Sequence, residues 1–165
     1  MLSKAASAQI SVVVVSNSKY SSGLQKVISG VSGKKICYVS LNKPYTTIAD
    51  TVKLNLKNVI FIDCVSGGVT KPKGYSVIFV SSPKALTDLS IDIVENMKKS
   101  DVIIFDALST LLVYNDSATV IKFVHSIVSK IRMTKTKVIF MTLKEDTDTD
   151  MMKDLSMFVD KIDKK

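Results

Sequence analysis

A three-layer α/β/α domain with a mostly parallel central sheet is the fold class this sequence predicts, and three observations carry it. Short, nearly continuous apolar runs rich in Val and Ile recur along the chain, the mark of strands buried on both faces. Segments with apolar residues at helical spacing separate these runs. The two kinds of segment alternate to the end, and right-handed crossovers then put helices on both faces of a parallel sheet. The 165 residues suit a single domain, expected over residues 1–165, with no internal repeat and no linker-like stretch.

The first strand is expected over residues 10–15 (ISVVVV), with a polar loop over 16–22 after it. Leu24, Val27, Ile28 and Val31 follow at helical spacing, and Gly30 and Gly33 end that helix. Residues 35–40 (KICYVS) read as the second strand. Asn42 is placed to cap the next helix, with Pro44 in its first turn and Tyr45, Ile48, Ala49 and Val52 as its buried stripe. A third strand covers 59–62 and is closed by Asp63. Residues 65–74 form a loop rich in turn formers, and 76–80 a fourth strand. Ser82-Pro83 reads as a helix start, with Leu86, Leu89, Ile93, Val94 and Met97 as the core face. The fifth strand, 102–105, ends in Asp106. Asn115, Asp116 or Ser117 caps a long helix that turns Val120, Val124, Ile127, Val128 and Ile131 inward. Residues 137–141 are the sixth strand. The last helix is expected to begin near Asp148 and to bury Met151, Leu155, Phe158 and Ile162, and the terminal DKIDKK to fray.

Composition narrows the function classes. Apolar residues make up 46% of the chain, which excludes a disordered segment. No apolar run approaches the ~20 residues of a membrane helix, so no membrane insertion is expected. Lys4 ahead of 10–15 is a poor signal peptide, because the run is short, is interrupted by Ser11 and leads to no cleavage site; a cytoplasmic protein is expected. Cys37 and Cys64 lack metal-ligand spacing and read as small buried hydrophobes. The net charge of +8 is uneven: residues 1–85 hold eleven lysines against two acids, and the remainder is nearly balanced. Such a half can meet nucleic acid, an anionic surface or an acidic protein, or merely solubilise a helix-covered sheet. No interleaved aromatics or arginine cluster marks a nucleic-acid surface. His125 reads as a solvated residue on a helix, and Asp146, Asp148 and Asp150 as acids favoured at a helix N-terminus.

Ligands of such sheets bind beyond the carboxyl ends of the strands, and three places there bear on chemistry. The loop SNSKYSSG (16–23) has the length and position of a phosphate-binding loop, G-x-x-x-x-G-K-[ST], whose glycines let backbone N–H groups wrap the phosphates. Ser16 and Ser21 stand for its two glycines, Ser22 for its lysine and Gly23 for its magnesium-binding hydroxyl. Lys19 is the loop's one cation, on the far side from the motif lysine. At the end of DVIIFD, Asp106 stands where P-loop ATPases keep the acid that orders the magnesium shell. After the second strand, in YVSLNKP, Asn42 and Lys43 occupy the place of a water-activating carboxylate, and neither is a carboxylate base.

With SPKALTDLSIDI, DALSTLLVYND and MTLKEDTD, these stretches resemble the KaiC/RecA family of P-loop ATPases, in particular its archaeal KaiC-like branch, over nearly the whole chain. The resemblance implies a RecA-like P-loop core, Asp106 as magnesium-shell acid, and Ser109 and Thr110 beside the phosphates. It also implies a nucleotide-dependent machine that forms rings. The departures lie in the groups that hydrolysis needs, each worth several kcal/mol in the transition state. The expectation is therefore a non-hydrolysing domain with no catalytic residues and no metal site, acting as a regulatory or protein-interaction module with a protein partner or a second copy. Its vestigial nucleotide site would be Ser16, Asn17, Ser18, Lys19, Ser21, Ser22, Gly23 and Asp106, with at most weak ATP–magnesium binding. The alternatives are a nucleotide sensor without turnover and nucleic-acid binding through the basic N-terminal half.

Overall fold

The computed structural model describes residues 8–52, 54–68, 73–146 and 149–165. Its strands are β1 (Ile10–Val15), β2 (Ile36–Ser40), β3 (Val59–Asp63), β4 (Ser76–Phe79), β5 (Val102–Asp106), β6 (Lys137–Leu143) and β7 (Lys161–Lys164). The helices are α1 (Tyr20–Gly30), α2 (Tyr45–Thr51), α3 (Leu86–Met97), α4 (Leu108–Tyr114), α5 (Ser117–Ile131) and α6 (Thr149–Ser156). One sheet runs β4-β3-β2-β5-β6-β1-β7, and every pairing in it is parallel.

Crossover handedness explains how the helices divide between the two faces. From β1 through β2 to β4 the chain moves toward one edge of the sheet; from β4 through β5 and β6 to β7 it moves back. A right-handed connection that reverses direction must change face. Hence α1 and α2 pack with Val13, Val15, Tyr38 and Phe61 on one side. Residues of α3, α4, α5 and α6 pack with Val12, Val14, Val39, Phe105 and Phe140 on the other. Alternate residues of β1 therefore serve opposite layers, which is why that strand is apolar at nearly every position.

The sequence expectations need six corrections. The terminal residues do not fray: Lys161–Lys164 pairs with β1 as a seventh strand. The last helix stops at Ser156, so Phe158 lies beyond it and Ile162 belongs to β7. The loop after β1 is short, because a single 3₁₀ turn (Asn17–Lys19) leads straight into α1 at Tyr20. Asn42 does not cap α2; the Asp63 carboxylate, arriving from β3, accepts the Tyr45 N–H at 3.0 Å instead. Ser82-Pro83 shapes the turn before α3, with Ser82 Oγ accepting the Lys84 N–H at 3.1 Å, and the helix starts at Leu86. Within DALSTLLVYND, residues Leu108–Tyr114 form α4, which the periodicity had not distinguished. Asp116 does cap α5, accepting the Thr119 N–H at 2.8 Å. Lys4, part of the loop 65–74, the side chain of Asp146 and all of Asp148 lie outside the described residues. No helix among the described residues is long and apolar enough to cross a membrane.

Candidate functional site at the carboxyl edge of the sheet

Four strand ends meet where a ligand of such a sheet is expected: β2, β5, β6 and β1, in that order. Asp106 closes β5 and is only 3% exposed. Its carboxylate is not open. The Tyr20 hydroxyl, from the first residue of α1, donates to Oδ1. The Tyr38 hydroxyl, from β2, donates to Oδ2 at 2.5 Å. Strand register explains the second contact. Ser40 pairs with Asp106 and Tyr38 with Ile104, so Tyr38 lies one step diagonal to Asp106 on the same face. The main chain adds to the tie, since Leu41 N–H donates to the Asp106 carbonyl at 2.8 Å.

Burial pushes the Asp106 carboxyl above the ordinary carboxylate range, and the two tyrosine hydroxyls, the Lys43 charge and Asn42 pull it part of the way back. Both tyrosines are driven well above the usual phenol range, by burial first and by the charge of Asp106 second. At neutral pH both phenols are donors, which is what a carboxylate beside them requires.

The loop before α1 is closed in a similar way. A phosphate-wrapping nest needs residues of alternating backbone hand. Positive φ among the described residues occurs at Gly33, Gly67, Gly68 and Gly74, none of them in this loop. Asn17 N–H donates to the Glu145 carboxylate at 2.9 and 3.2 Å, and Lys19 N–H to the Ser16 carbonyl at 3.0 Å. An acid of this chain thus takes a loop donor that a phosphate would take. Ser16 and Ser18 hydroxyls lie 3.3 Å apart, and Ser22 Oγ donates to the Lys19 carbonyl at 3.0 Å. Lys19 and Ser21 are exposed. Gly23 has a packing role: a Cβ there would stand 3.1 Å from Val15 Cγ1 and 3.2 Å from Cγ2, so the glycine lets α1 lie close on β1.

The remaining predicted positions are engaged elsewhere. Asn42 accepts from the Thr110 hydroxyl. Ser109 is buried and accepts the Leu143 N–H at 3.1 Å. His125 is exposed and meets the edge of Phe158, with ring centroids 5.3 Å apart. Burial pushes the Cys37 and Cys64 thiols up to about 12. Of the eight predicted nucleotide-site residues, Asp106 is the one at the centre of the crevice, and its partners are Tyr20, Tyr38 and Asn42 rather than Lys19 or the serines. Sequence reasoning passed over Tyr20, Tyr38 and Glu145. Tyr20 lies inside SNSKYSSG, the stretch the motif comparison singles out, and that position is the one signal that could have drawn attention to it. As arranged, these groups do not fit a magnesium–triphosphate: both carboxylate oxygens and a key loop N–H are occupied from within the chain.

A family profile matches residues 47–162, more than half of the chain. The chain belongs to DUF7504, a family of unknown function. The DUF7504 match includes Asp106 and Glu145, ends at Ile162 within β7, and starts after the loop that carries Tyr20. No curated protein matches this sequence. Among solved structures, the flagellar accessory protein FlaH from Methanocaldococcus jannaschii is similar at 15% identity and TM-score 0.57, over 92% of this chain and 68% of FlaH. A prototypical ATPase from the type III secretion system of pathogenic bacteria is similar at 11% identity and TM-score 0.52, over 92% of this chain. The DUF7504 chain spans about half, 49%, of that ATPase. Likeness at this identity establishes the fold, which is RecA-like.

Proposed function

We propose that this chain is a RecA-like domain of the KaiC-like kind that has lost ATP hydrolysis and works as a regulatory or protein-interaction module. The observation that carries the reading is the closure of Asp106 by Tyr20 and Tyr38. An acid that orders a magnesium shell must offer an oxygen to the ion's water. Here both oxygens face phenols, and the phenol of Tyr20 comes from the segment that would have to open around phosphates. The Glu145 contact with Asn17 supports the same reading, because a fixed carboxylate repels an incoming phosphate. With the chemistry closed, the scaffold's use lies in contacts with a protein partner or a second copy, a role compatible with an accessory protein such as the neighbour FlaH.

Calorimetric titration with ATP and magnesium, alongside a phosphate-release assay, tests this. The expected result is no turnover, and no heat or thermal stabilisation that Asp106→Ala removes. Any ligand that prefers the native state must raise apparent stability, so the thermal readout is independent of the heat of binding. Binding tighter than roughly 100 µM, about −5.5 kcal/mol, and abolished by Asp106→Ala would overturn the closed-site reading and make the domain a nucleotide sensor. A strict monomer by light scattering, with no partner recovered by affinity capture, would count against the interaction role.

A further inference from the structure

At the opposite, amino-terminal edge of the sheet, three helix-to-strand turns converge on a cleft of about 570 Å³. They are the turns that follow α1, α3 and α5. Lys34 comes from the first, Lys98 from the second, Lys135 and Lys137 from the third, and all four are exposed. Asp101 is the one acid in the lining, and its carboxylate already accepts the Lys35 N–H at 2.8 Å. Among the described residues, Lys34, Lys98 and Lys135 have no carboxylate within ion-pair distance.

Lysines at this edge have an ordinary explanation, since α1, α3 and α5 all end here and helix C-termini favour cations. Hydrogen bonds at the ends of α3 and α5 weaken it. The terminal carbonyls are already answered by other groups. Thr136 Oγ1 donates to the carbonyls of Met97 and Ser100 at 2.6 and 3.0 Å. Ser100 Oγ donates to the Asn96 carbonyl at 3.0 Å. Gln9 Nε2 donates to the carbonyls of Ile131, Thr134 and Thr136 at 2.9 to 3.0 Å. The ends of α3 and α5 are answered by neutral donors, and among the described residues the ammonium groups of Lys34, Lys98 and Lys135 are left without a carboxylate.

We infer that this cleft is a binding site for a compact anion carrying two or more phosphate groups. Four ammonium groups from three segments surround a volume within the ~300–1,000 Å³ of small-molecule sites. Lys recognises phosphate as a point charge and needs no bidentate geometry. A nucleic-acid track is disfavoured on two counts. No aromatic residue lines the cleft to stack a base. The adjoining cleft also continues no basic track: it shares Lys34 and Val31 but otherwise offers neutral groups such as Gln25, Ser29, Asn55 and Asn58. The basic N-terminal half of the sequence is therefore a misleading guide, because three of the four lysines come from the balanced C-terminal half. This site is separate from Asp106, and its test leaves the proposed function standing or falling on its own experiment.

Titration of the full chain with inorganic tripolyphosphate at low salt, without magnesium, is the test. Three proteins are compared: the natural chain, Lys98→Gln/Lys135→Gln, and a control, Lys122→Gln/Lys153→Gln, at exposed positions of α5 and α6 that do not line the cleft. The expected result is one saturable site, weakened about tenfold in the cleft variant and little changed in the control, with equal melting temperatures in the absence of ligand. Failure to saturate, or equal loss in both variants, would overturn the site. So would single-stranded oligonucleotides that bind more tightly than tripolyphosphate with an affinity that rises with length; that outcome reassigns the lysines to nucleic acid.

Discussion

Replacing Tyr20 by Phe removes one hydroxyl and leaves Asp106 Oδ1 buried without its donor. A hydrogen bond to a charged group is worth about 1.5–3 kcal/mol, and Asp106 at 3% exposure has little water to replace it. A loss of about 2 kcal/mol is expected at neutral pH, or about 4–8 °C in melting temperature for a domain of this size. The pH dependence carries a second signature. Tyr20 pulls the Asp106 carboxyl down against the effect of burial, so without it the folded-state pKa rises further. An acid whose folded pKa lies above its unfolded value costs stability while charged, and that cost disappears as pH falls through the folded pKa toward the unfolded one. The difference between Tyr20→Phe and the natural chain is thus largest above the folded-state pKa values of Asp106 in the two proteins and narrows as pH falls through them. Tyr38→Phe behaves alike, and the double variant loses less than the sum, because a carboxyl bereft of both donors simply takes up a proton. Urea unfolding followed by far-ultraviolet circular dichroism suits a chain without Trp. A Tyr20→Phe effect within about 0.5 kcal/mol, flat with pH, would refute the closed carboxylate and with it the main support for the proposed function.

Three further outcomes follow from the same coordinates. Gly23→Ala places a methyl 3.1 Å from Cγ1 of the fully buried, β-branched Val15, so it costs about 1–3 kcal/mol in chemical denaturation, and the double variant with Val15→Ala loses less than the sum of the two single losses. Arg132→Gln removes the two-pronged contact with Asp160 at 2.7 and 2.8 Å. Arg132 first, then backbone N–H groups of Ile10 and Gln9, hold Asp160 down at about 2, so its contribution is complete above the unfolded carboxylate range and vanishes as pH falls through about 2. The pair is about a third exposed, so the neutral-pH loss is at most about 1 kcal/mol; faster amide exchange in β7 is the sharper readout. Burial and the raised thiol values make Cys37 and Cys64 unreactive toward iodoacetamide in the native chain, with both labelled after unfolding, which mass spectrometry counts directly.

How far the sequence reached depends on how each element earns its place. Ile10–Val15 and Val102–Asp106 were legible because burial on both faces leaves an unbroken apolar run. β7 was not, because KIDK has a single apolar residue and reads as a charged tail. It is held from outside itself, by parallel pairing to β1 and by Asp160, which Arg132 and the N–H groups of Gln9 and Ile10 fix in place. Its lysines also suit an edge strand, where charge discourages pairing with another chain. The site divides the same way. Local motif position identified Asp106, whereas its partners lie 86 and 68 residues away in sequence and follow from strand register and helix packing. Glu145, 128 residues from Asn17, carried no local signal at all. The cleft lysines are the extreme case: charge counted along the chain does not locate them, because three of the four lie in the balanced half and the parallel fold gathers turns rather than neighbours.

The retained acid need not mean a retained activity. Asp106 joins β5 to α1 through Tyr20 and to β2 through Tyr38, while its carbonyl holds Leu41. These contacts fix the approach of α1 to the sheet at the end where the loop is shortest. A buried carboxylate is a poor source of net stability, since apolar residues of similar volume often do as well or better. Removing one partner alone is costly, however, because the others are left unpaired. With two phenols depending on it, Asp106 can be lost without cost only together with them. Asp106→Leu in a Tyr20→Phe/Tyr38→Phe background separates the two reasons for keeping it. Stability at or above that of the natural chain is the expected result, and it would show that the acid is held by its partners; a chain still destabilised in that background would show that the carboxylate has a use beyond them.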